Sequence, residues 1–360
     1  MKRFVLCALA ATFMALPAFS QKIVYTDGDQ FPLYGKCTDD TYSRYTRLPA
    51  SYEETTRDAL AWLGKMSAGL YLRFRSDANE IHVKWTSHYK ASMNHMTDVG
   101  TRGVDLYAWK DGQWRFAGSG RPNTEIPTTD ALIVGHMDSG MREYMLYLSL
   151  YDGVDSLSIG VPEGYVLEGP VDHVQSHDGA IVMYGTSIMQ GCSASRPGMC
   201  YSAIIGRKTG REVINLGFSG NGRLDYDIAE LMAKVENPSV YVLDNVPNCS
   251  VEEIDERTDR FIDILREAHP DVPIIMLEDP QFSHCAFDNF ILDEINAKNE
   301  AEKAAFARQK ARGLKNIYYL TTDKLVAPDG EAFVDGIHYT DQGMVHHSEA
   351  LMKVLKKILR

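Results

Sequence analysis

The stretch GAIVMYGTSIMQG, residues 179–191, decides the fold of the second half of the chain. Its apolar run is short and ends at Gly185, and Ser187 follows two residues later. A short apolar run bounded by turn residues is typical of a strand that is buried on both faces of a sheet. The stretch therefore predicts such a strand, followed by a strand-to-helix turn that carries the hydroxyl of Ser187.

More runs of this kind follow, and helical patterns separate them. The clearest helix begins with a capping box of Ser250 and Glu253 and ends before Pro270. Buried strands that alternate with helices predict a parallel sheet of the α/β type, in which the active site lies beyond the carboxyl ends of the strands. The remaining runs are EVINLG, SVYVLDN, VPIIMLED and NIYYLTT.

The first half of the chain has a different pattern. Alternating or aromatic-rich stretches such as EIHVKWTS and VDLYAWKDGQWRFAG are separated by turn signals, which is typical of an antiparallel sandwich. Residues 161–170, VPEGYVLEGP, are rich in Gly and Pro and are interpreted as the link to the second half. We therefore predict a β-sandwich domain over residues 21–172 and an α/β domain over residues 173–360.

Residues 1–20 resemble a secretory leader. A basic start at Lys2 and Arg3 precedes the apolar run FVLCALAATFMAL, and small residues follow Pro17. The run is shorter than the roughly 20 residues that span a bilayer, which argues against a membrane anchor. We predict a signal peptide that is cleaved after Ser20, and hence a secreted or periplasmic protein without stable membrane insertion.

The charge balance argues against a nucleic-acid partner. The chain of 360 residues carries 49 acidic and 37 basic side chains, a formal net charge of −12. Nucleic-acid binding would require a positive patch, and none stands out in the sequence. The composition is typical of an ordinary globular protein. The sequence does not determine its oligomeric state.

Export makes disulfides possible, and five cysteines follow the leader. Cys192 and Cys200 flank a short loop and could close it, whereas free buried thiols are an equally good interpretation. The other three are Cys37, Cys249 and Cys285.

The sequence predicts no metal site. No close Cys/His pair has the spacing of metal ligands. His173 and His177 are four residues apart, but no helical pattern surrounds them, and they are interpreted as linker residues. His95, in SMNHM, is a further isolated histidine to which no role is assigned.

Groups that acyl transfer requires follow four of the predicted strands. Ser187 follows the first strand, Gly220 in NLGFSGNG the second, and Asn248 in LDNVPN the third, while Asp335 and His338 in DGIH come after the fifth. We predict that His338 takes the proton of Ser187 and that Asp335 orients the imidazole. The backbone N–H groups of Ser187 and Gly220 and the amide of Asn248 are predicted to bind the oxyanion.

The order of these blocks resembles the SGNH (GDSL-type) hydrolase superfamily, over about residues 178–360. Its pattern is a serine, a glycine and an asparagine after the first three strands, and Asp-x-x-His near the C-terminus. GVDLY, residues 103–107, is similar to the GxDLY domain that precedes some bacterial members. The resemblance implies a three-layer α/β/α fold after a jelly-roll-like sandwich. It also implies ester hydrolysis without a cofactor, often the removal of acetyl groups from polysaccharides.

Two positions depart from the family pattern. The usual GDS is GTS here, with Thr186 in place of an aspartate that is not a reacting group, so we expect the chemistry to survive. The asparagine block offers both Asn245 and Asn248. We favour Asn248 as the oxyanion donor, because it closes the turn, and Asn245 remains the alternative donor.

The sequence as a whole predicts a secreted serine esterase that acts through an acyl-enzyme, and the family resemblance implies an O-acetylated glycan as substrate. Two alternatives stay open, namely a lipid- or thioester-directed acylhydrolase and a catalytically inactive glycan-binding protein. Trp85, Trp109 and Trp114 could stack on sugar rings, although we expect core packing for at least two of them.

Overall fold

The computed structural model describes residues 21–171 and 179–359. The predicted leader, His173, His177 and the predicted domain boundary after residue 172 lie outside these ranges. None of the helices within them combines the length and the apolar character that crossing a bilayer requires.

Residues 21–171 form a sandwich of two antiparallel sheets. Its strands are β1 (Ile23–Asp27), β2 (Leu33–Tyr34), β3 (Tyr71–Ser76), β4 (Ile81–Ser87), β5 (Val104–Lys110), β6 (Gln113–Gly120), β7 (Thr128–Val134), β8 (Arg142–Tyr147), β9 (Val154–Pro162) and β10 (Leu167–Glu168). Three short helices join them, α1 (Tyr52–Thr55), α2 (Asp58–Gly64) and α3 (Asp98–Arg102). One sheet has the order β1-β9-β4-β7; the other has the order β10-β3-β8-β5-β6, with β2 paired to β3.

The sheet that contains β3 is buried on both faces. Successive strand residues point to opposite faces. Leu72 and Phe74 accordingly enter the sandwich core, while Tyr71 belongs to the core that is shared with the α/β part. Of the three tryptophans considered as sugar-stacking candidates, Trp85 and Trp114 are buried and Trp109 is partly buried, so core packing is confirmed for two of them.

Residues 161–170 are not a free link, so that interpretation is wrong. Val161 and Pro162 complete β9, and Leu167–Glu168 forms β10, which pairs with β3. Gly and Pro in this stretch mark the turn between two strands of the sandwich.

The second part is a parallel sheet with helices, as predicted. The strands β11 (Ala180–Gly185), β12 (Val213–Gly217), β13 (Pro238–Asp244), β14 (Ile274–Leu277) and β15 (Ile317–Leu320) lie in the order β12-β11-β13-β14-β15. The helices are α4 (Ser187–Gln190), α5 (Tyr201–Thr209), α6 (Tyr226–Ala233), α7 (Val251–Ala268), α8 (Asn289–Ala311), α9 (Thr322–Leu325) and α10 (Asp341–Ile358). The capping box of Ser250 and Glu253 starts α7. Because the strands are parallel, their carboxyl ends meet at one edge, and Ser187, Gly220 and Asn248 follow three of these ends.

Candidate active site

Ser187 is the first residue of α4, directly after the carboxyl end of β11. Thr186 caps this short helix, since its hydroxyl accepts a hydrogen bond from the N–H of Ile188 at 3.4 Å. The departure from the family pattern therefore provides a helix cap. The carbonyl of Ser187 accepts hydrogen bonds from Gly191 and Cys192, which holds the turn in place.

Three side chains lie in a hydrogen-bonded line. The Oγ of Ser187 is 2.9 Å from Nε2 of His338, and Nδ1 of His338 is 2.7 Å from Oδ2 of Asp335. The other carboxylate oxygen, Oδ1, accepts hydrogen bonds from the backbone N–H groups of Ile337 and His338 at 3.0 and 2.8 Å. The loop between acid and base turns at Gly336, whose φ of +89° favours glycine.

The charge of Asp335 determines the tautomer of the histidine. Burial opposes ionisation, but the hydrogen bonds from His338 and Ile337 outweigh it and lower the pKa of Asp335 to about 2. The carboxylate is therefore ionised at neutral pH and accepts a proton-bearing Nδ1. This leaves Nε2 of His338 as the acceptor for the hydroxyl proton of Ser187.

The predicted oxyanion donors border the same cleft. The N–H of Ser187 is at the N-terminus of α4, where N–H groups have no intrahelical partner. Gly220 is exposed in the loop after β12 with a φ of +68°. Oδ1 of Asn248 accepts from the N–H of Gly222 at 3.2 Å, and no described residue accepts from its Nδ2. Asn245, by contrast, is only 1% exposed and lies outside the cleft lining.

The cleft around Ser187 has a volume of about 420 Å³ and a mixed lining. Asp279, just beyond β14, is a lining residue that sequence reasoning missed. Burial raises its pKa to about 8 against the opposing charge of Lys298, and its Oδ1 has no partner among the described residues. Lys298 pairs with Glu294 at 2.7 Å. The apolar lining residues are Ile188, Pro247, Phe282, Ile291, Ile295 and Ile337.

Comparisons with known proteins agree with this geometry. Residues 178–356 match the family model described as GDSL-like Lipase/Acylhydrolase family, and residues 23–167 match the one described as N-terminus of Esterase_SGNH_hydro-type. A solved structure described as a GDSL-like lipase from Bacteroides ovatus is 34% identical, with a TM-score of 0.89 over 94% of this chain and 98% of that one. The chain belongs to the GDSL-like lipase/acylhydrolase family. It is therefore an esterase or acylhydrolase.

More distant solved structures share the fold of this GDSL-like protein. A family two carbohydrate esterase from Clostridium thermocellum is 12% identical, with a TM-score of 0.61 over 94% of this chain and 99% of that one. An acetyl xylan esterase from Butyrivibrio proteoclasticus is also 12% identical, with a TM-score of 0.54 over 94% and 98% of the two chains. No curated protein sequence matches the chain.

The GxDLY motif of this family member ties the two parts of the chain together. Oδ2 of Asp105 is fully buried and accepts hydrogen bonds from Nη1 of Arg196 at 2.7 Å and from the N–H of Gly198 at 2.9 Å. The same guanidinium donates to the hydroxyl of Tyr107 at 2.6 Å. The motif therefore holds the loop that follows the Ser187 helix.

Two further side chains from the sandwich reach the edge of the sheet where Ser187 lies, and sequence reasoning assigned a role to neither. Arg47 is 1% exposed, and its guanidinium donates to the carbonyls of Gly217 and Leu63 at 2.7 Å and of Met66 at 2.9 Å. It thereby supports the end of β12, just before the Gly220 loop. The ring of His95 stacks on that of His338, with centroids 5.5 Å apart. No local pattern marks either residue.

The cysteines of the described chain are all free thiols. Cys192 and Cys200 are both buried, and Sγ of Cys200 donates to the carbonyl of Met189 at 3.1 Å. Of the two interpretations of this pair, the structure shows the free thiols.

Proposed function

We propose that the protein is an exported carboxylic ester hydrolase in which Ser187 is the nucleophile. The observation that carries this proposal is the continuous hydrogen-bonded line from Oγ of Ser187 through His338 to Asp335, with distances of 2.9 and 2.7 Å, at the floor of an open cleft. A serine needs such a base to become nucleophilic near neutral pH.

The reaction proceeds in two halves. Oγ of Ser187 attacks the ester carbonyl while Nε2 of His338 takes its proton, and the resulting oxyanion accepts hydrogen bonds from Ser187 N–H, Gly220 N–H and Nδ2 of Asn248. The C–O bond to the alcohol breaks as the imidazolium returns a proton to it. Water, deprotonated by His338, then attacks the acyl carbonyl. The bond from that carbonyl to Oγ of Ser187 breaks as the imidazolium returns the proton to Oγ, and the carboxylic acid leaves. Asp335 stabilises the imidazolium in both halves.

We propose an O-acetylated glycan as the substrate. The polar groups of Asp279, Glu294 and Lys298 in the cleft suit a hydroxyl-rich alcohol better than an alkyl chain. The fold shared with a carbohydrate esterase and an acetyl xylan esterase, each 12% identical to this chain, supports this class. The leader-like sequence of residues 1–20 supports export to where such glycans occur.

A lipid-directed acylhydrolase is the second candidate, and one observation favours it. Phe287 and Phe290 are 92% and 78% exposed, between His284 and Ile291, which both line the cleft. Exposed apolar rings beside a cleft provide a hydrophobic surface on which a long acyl chain can pack.

The test compares wild type and Ser187→Ala on p-nitrophenyl acetate, on p-nitrophenyl esters of longer acids, and on acetylated xylan. We expect wild type to prefer acetyl esters and to release acetate from the glycan, and Ser187→Ala to retain only a residual rate. Ser193→Ala is the matched control, because Ser193 is a neighbouring buried serine outside the cleft lining. Equal rates in wild type and Ser187→Ala would refute the nucleophile, and a long-chain preference would favour the second candidate.

A fluorophosphonate probe tests the inactive alternative. It should label wild type and Ser193→Ala but not Ser187→Ala. Glycan binding without labelling of the wild type would instead identify a catalytically inactive binding protein.

A further inference from the structure

Three potential metal ligands meet where the sandwich touches the catalytic edge. They are His95 of the sandwich, Cys192 of the loop after α4, and His338. One ligand atom from each residue lies within 4.8 Å of the other two, and Nε2 of His95 is 3.2 Å from Sγ of Cys192. The proposed hydrolysis uses only His338, so the other two groups have no part in it.

The surrounding structure holds this cluster in place. The His95 ring lies against that of His338 at an interplanar angle of 27°. The hydroxyl of Thr97, two residues after His95, donates to the carbonyl of Ser195 at 2.5 Å, which ties the His95 segment to the Cys192 loop. Cys192 is 1% exposed, and its N–H donates to the carbonyl of Ser187 at 2.9 Å.

The donor set selects a class of metal. Imidazole nitrogen and thiolate sulfur suit Zn²⁺ and similar transition metals, whereas Mg²⁺ and Ca²⁺ prefer oxygen. Bond lengths of about 2.0–2.3 Å place ligand atoms around tetrahedral zinc roughly 3.3–3.8 Å apart. The present separations are up to 4.8 Å, so side-chain movements on the order of 1 Å would close the site. Three protein ligands leave one position for water.

We propose that His95, Cys192 and His338 form a zinc-binding site whose occupation inhibits the enzyme. Both nitrogens of His338 are already engaged, Nε2 by Ser187 and Nδ1 by Asp335. Coordination through either nitrogen therefore breaks one of the two hydrogen bonds on which general-base catalysis depends. The inhibition rests on the proposed function, whereas metal binding does not.

The thiol has to lose its proton to become a ligand. Metal binding therefore releases the proton of the Cys192 thiol. The carboxylate of Asp335, whose Oδ2 is 2.7 Å from Nδ1 of His338, lies beside the proposed cation.

Binding is tested first, without reference to activity. Metal-free full-length protein is titrated with CoCl₂, and the thiolate-to-cobalt charge-transfer band in the near ultraviolet is recorded, with ZnCl₂ as competitor. We expect the band in wild type and in Ser187→Ala, which keeps all three ligands, and its loss in Cys192→Ser. Cys37→Ser is the matched control, since Cys37 lies outside the cluster and lines a different cleft. Absence of the band in wild type, or its persistence in Cys192→Ser, would refute the proposed zinc site.

Inhibition is tested next, with p-nitrophenyl acetate and each variant compared with its own metal-free rate. We expect ZnCl₂ to inhibit wild type reversibly, with recovery on adding EDTA, and the half-inhibitory concentration to rise on the order of tenfold or more in His95→Gln and Cys192→Ser. His88→Gln, another sandwich histidine, should behave as wild type. Unchanged inhibition in both ligand variants would refute the proposal. A Ser187→Ala protein that hydrolyses normally yet binds cobalt would contradict only the proposed function.

Discussion

The choice between Asn248 and Asn245 as oxyanion donor gives a sharp test of the site. Oδ1 of Asn248 accepts from the N–H of Gly222, which fixes the amide and leaves Nδ2 free to donate. Asn245 is buried, and its Nδ2 is 3.6 Å from Sγ of Cys249. We predict that Asn248→Ala impairs catalysis, whereas Asn245→Ala affects mainly stability.

The expected size follows from the role of one donor. Losing a single oxyanion-hole hydrogen bond lowers kcat by about 10²–10³, or about 2.7–4 kcal/mol of transition-state stabilisation. Asn248→Ala also removes the acceptor of Gly222 N–H. Asn248→Asp retains an acceptor for Gly222 but has no N–H to donate, and its carboxylate repels the developing oxyanion. Both variants should therefore lose kcat with little change in KM.

Steady-state kinetics on p-nitrophenyl acetate measure these effects, and thermal unfolding checks that each variant is folded. For Asn245→Ala we expect kcat within about tenfold of wild type and a loss of stability of about 1–2 kcal/mol. A greater loss of kcat in Asn245→Ala than in Asn248→Ala, with both folded, would reverse the assignment. An Asn248→Asp variant as active as wild type would show that the amide donates nothing to the transition state.

Three other predictions address the supports of the site. Arg47→Met leaves the carbonyls of Met66, Gly217 and Leu63 without the guanidinium donor. Urea unfolding should therefore show a loss of stability on the order of 3 kcal/mol. Arg115 is exposed, so the control Arg115→Met should change stability little. Gly336→Ala puts a Cβ 2.6 Å from Nδ1 of His284 at a backbone φ of +89°, which strains the loop between Asp335 and His338. The variant should therefore lose about 1–2 kcal/mol of stability and most of kcat. Wild-type values for both quantities would refute this strain. The pKa of Asp335 is lowered to about 2, so the ionised carboxylate stabilises the folded state fully at pH values above the ordinary pKa of about 3.9. This stabilisation is lost as the pH falls from about 3.9 to about 2. The difference in unfolding free energy between wild type and Asp335→Asn should therefore be constant near neutral pH and shrink below about pH 4, and a difference that grows in acid would contradict the lowered pKa.

Much of the site was predictable because its parts follow strands of known direction. Parallel strands bring their carboxyl ends to one edge, so the sequence alone predicts that Ser187, Gly220 and Asn248 lie close together. The pairing of Asp335 with His338 followed from a spacing of three residues in a loop. The residues 161–170 were misinterpreted because Gly and Pro mark a turn between paired strands as readily as a link.

The amino-acid sequence alone determined the alternation of strands and helices, the capping box of α7 and the order of the predicted catalytic groups, since periodicity and turn chemistry act over a few residues. Only the tertiary structure decided that Arg47 supports the Gly220 loop and that His95 stacks on His338. Both contacts depend on how one face of the sandwich docks against the α/β sheet. That docking joins residues more than a hundred positions apart, over which no sequence period extends.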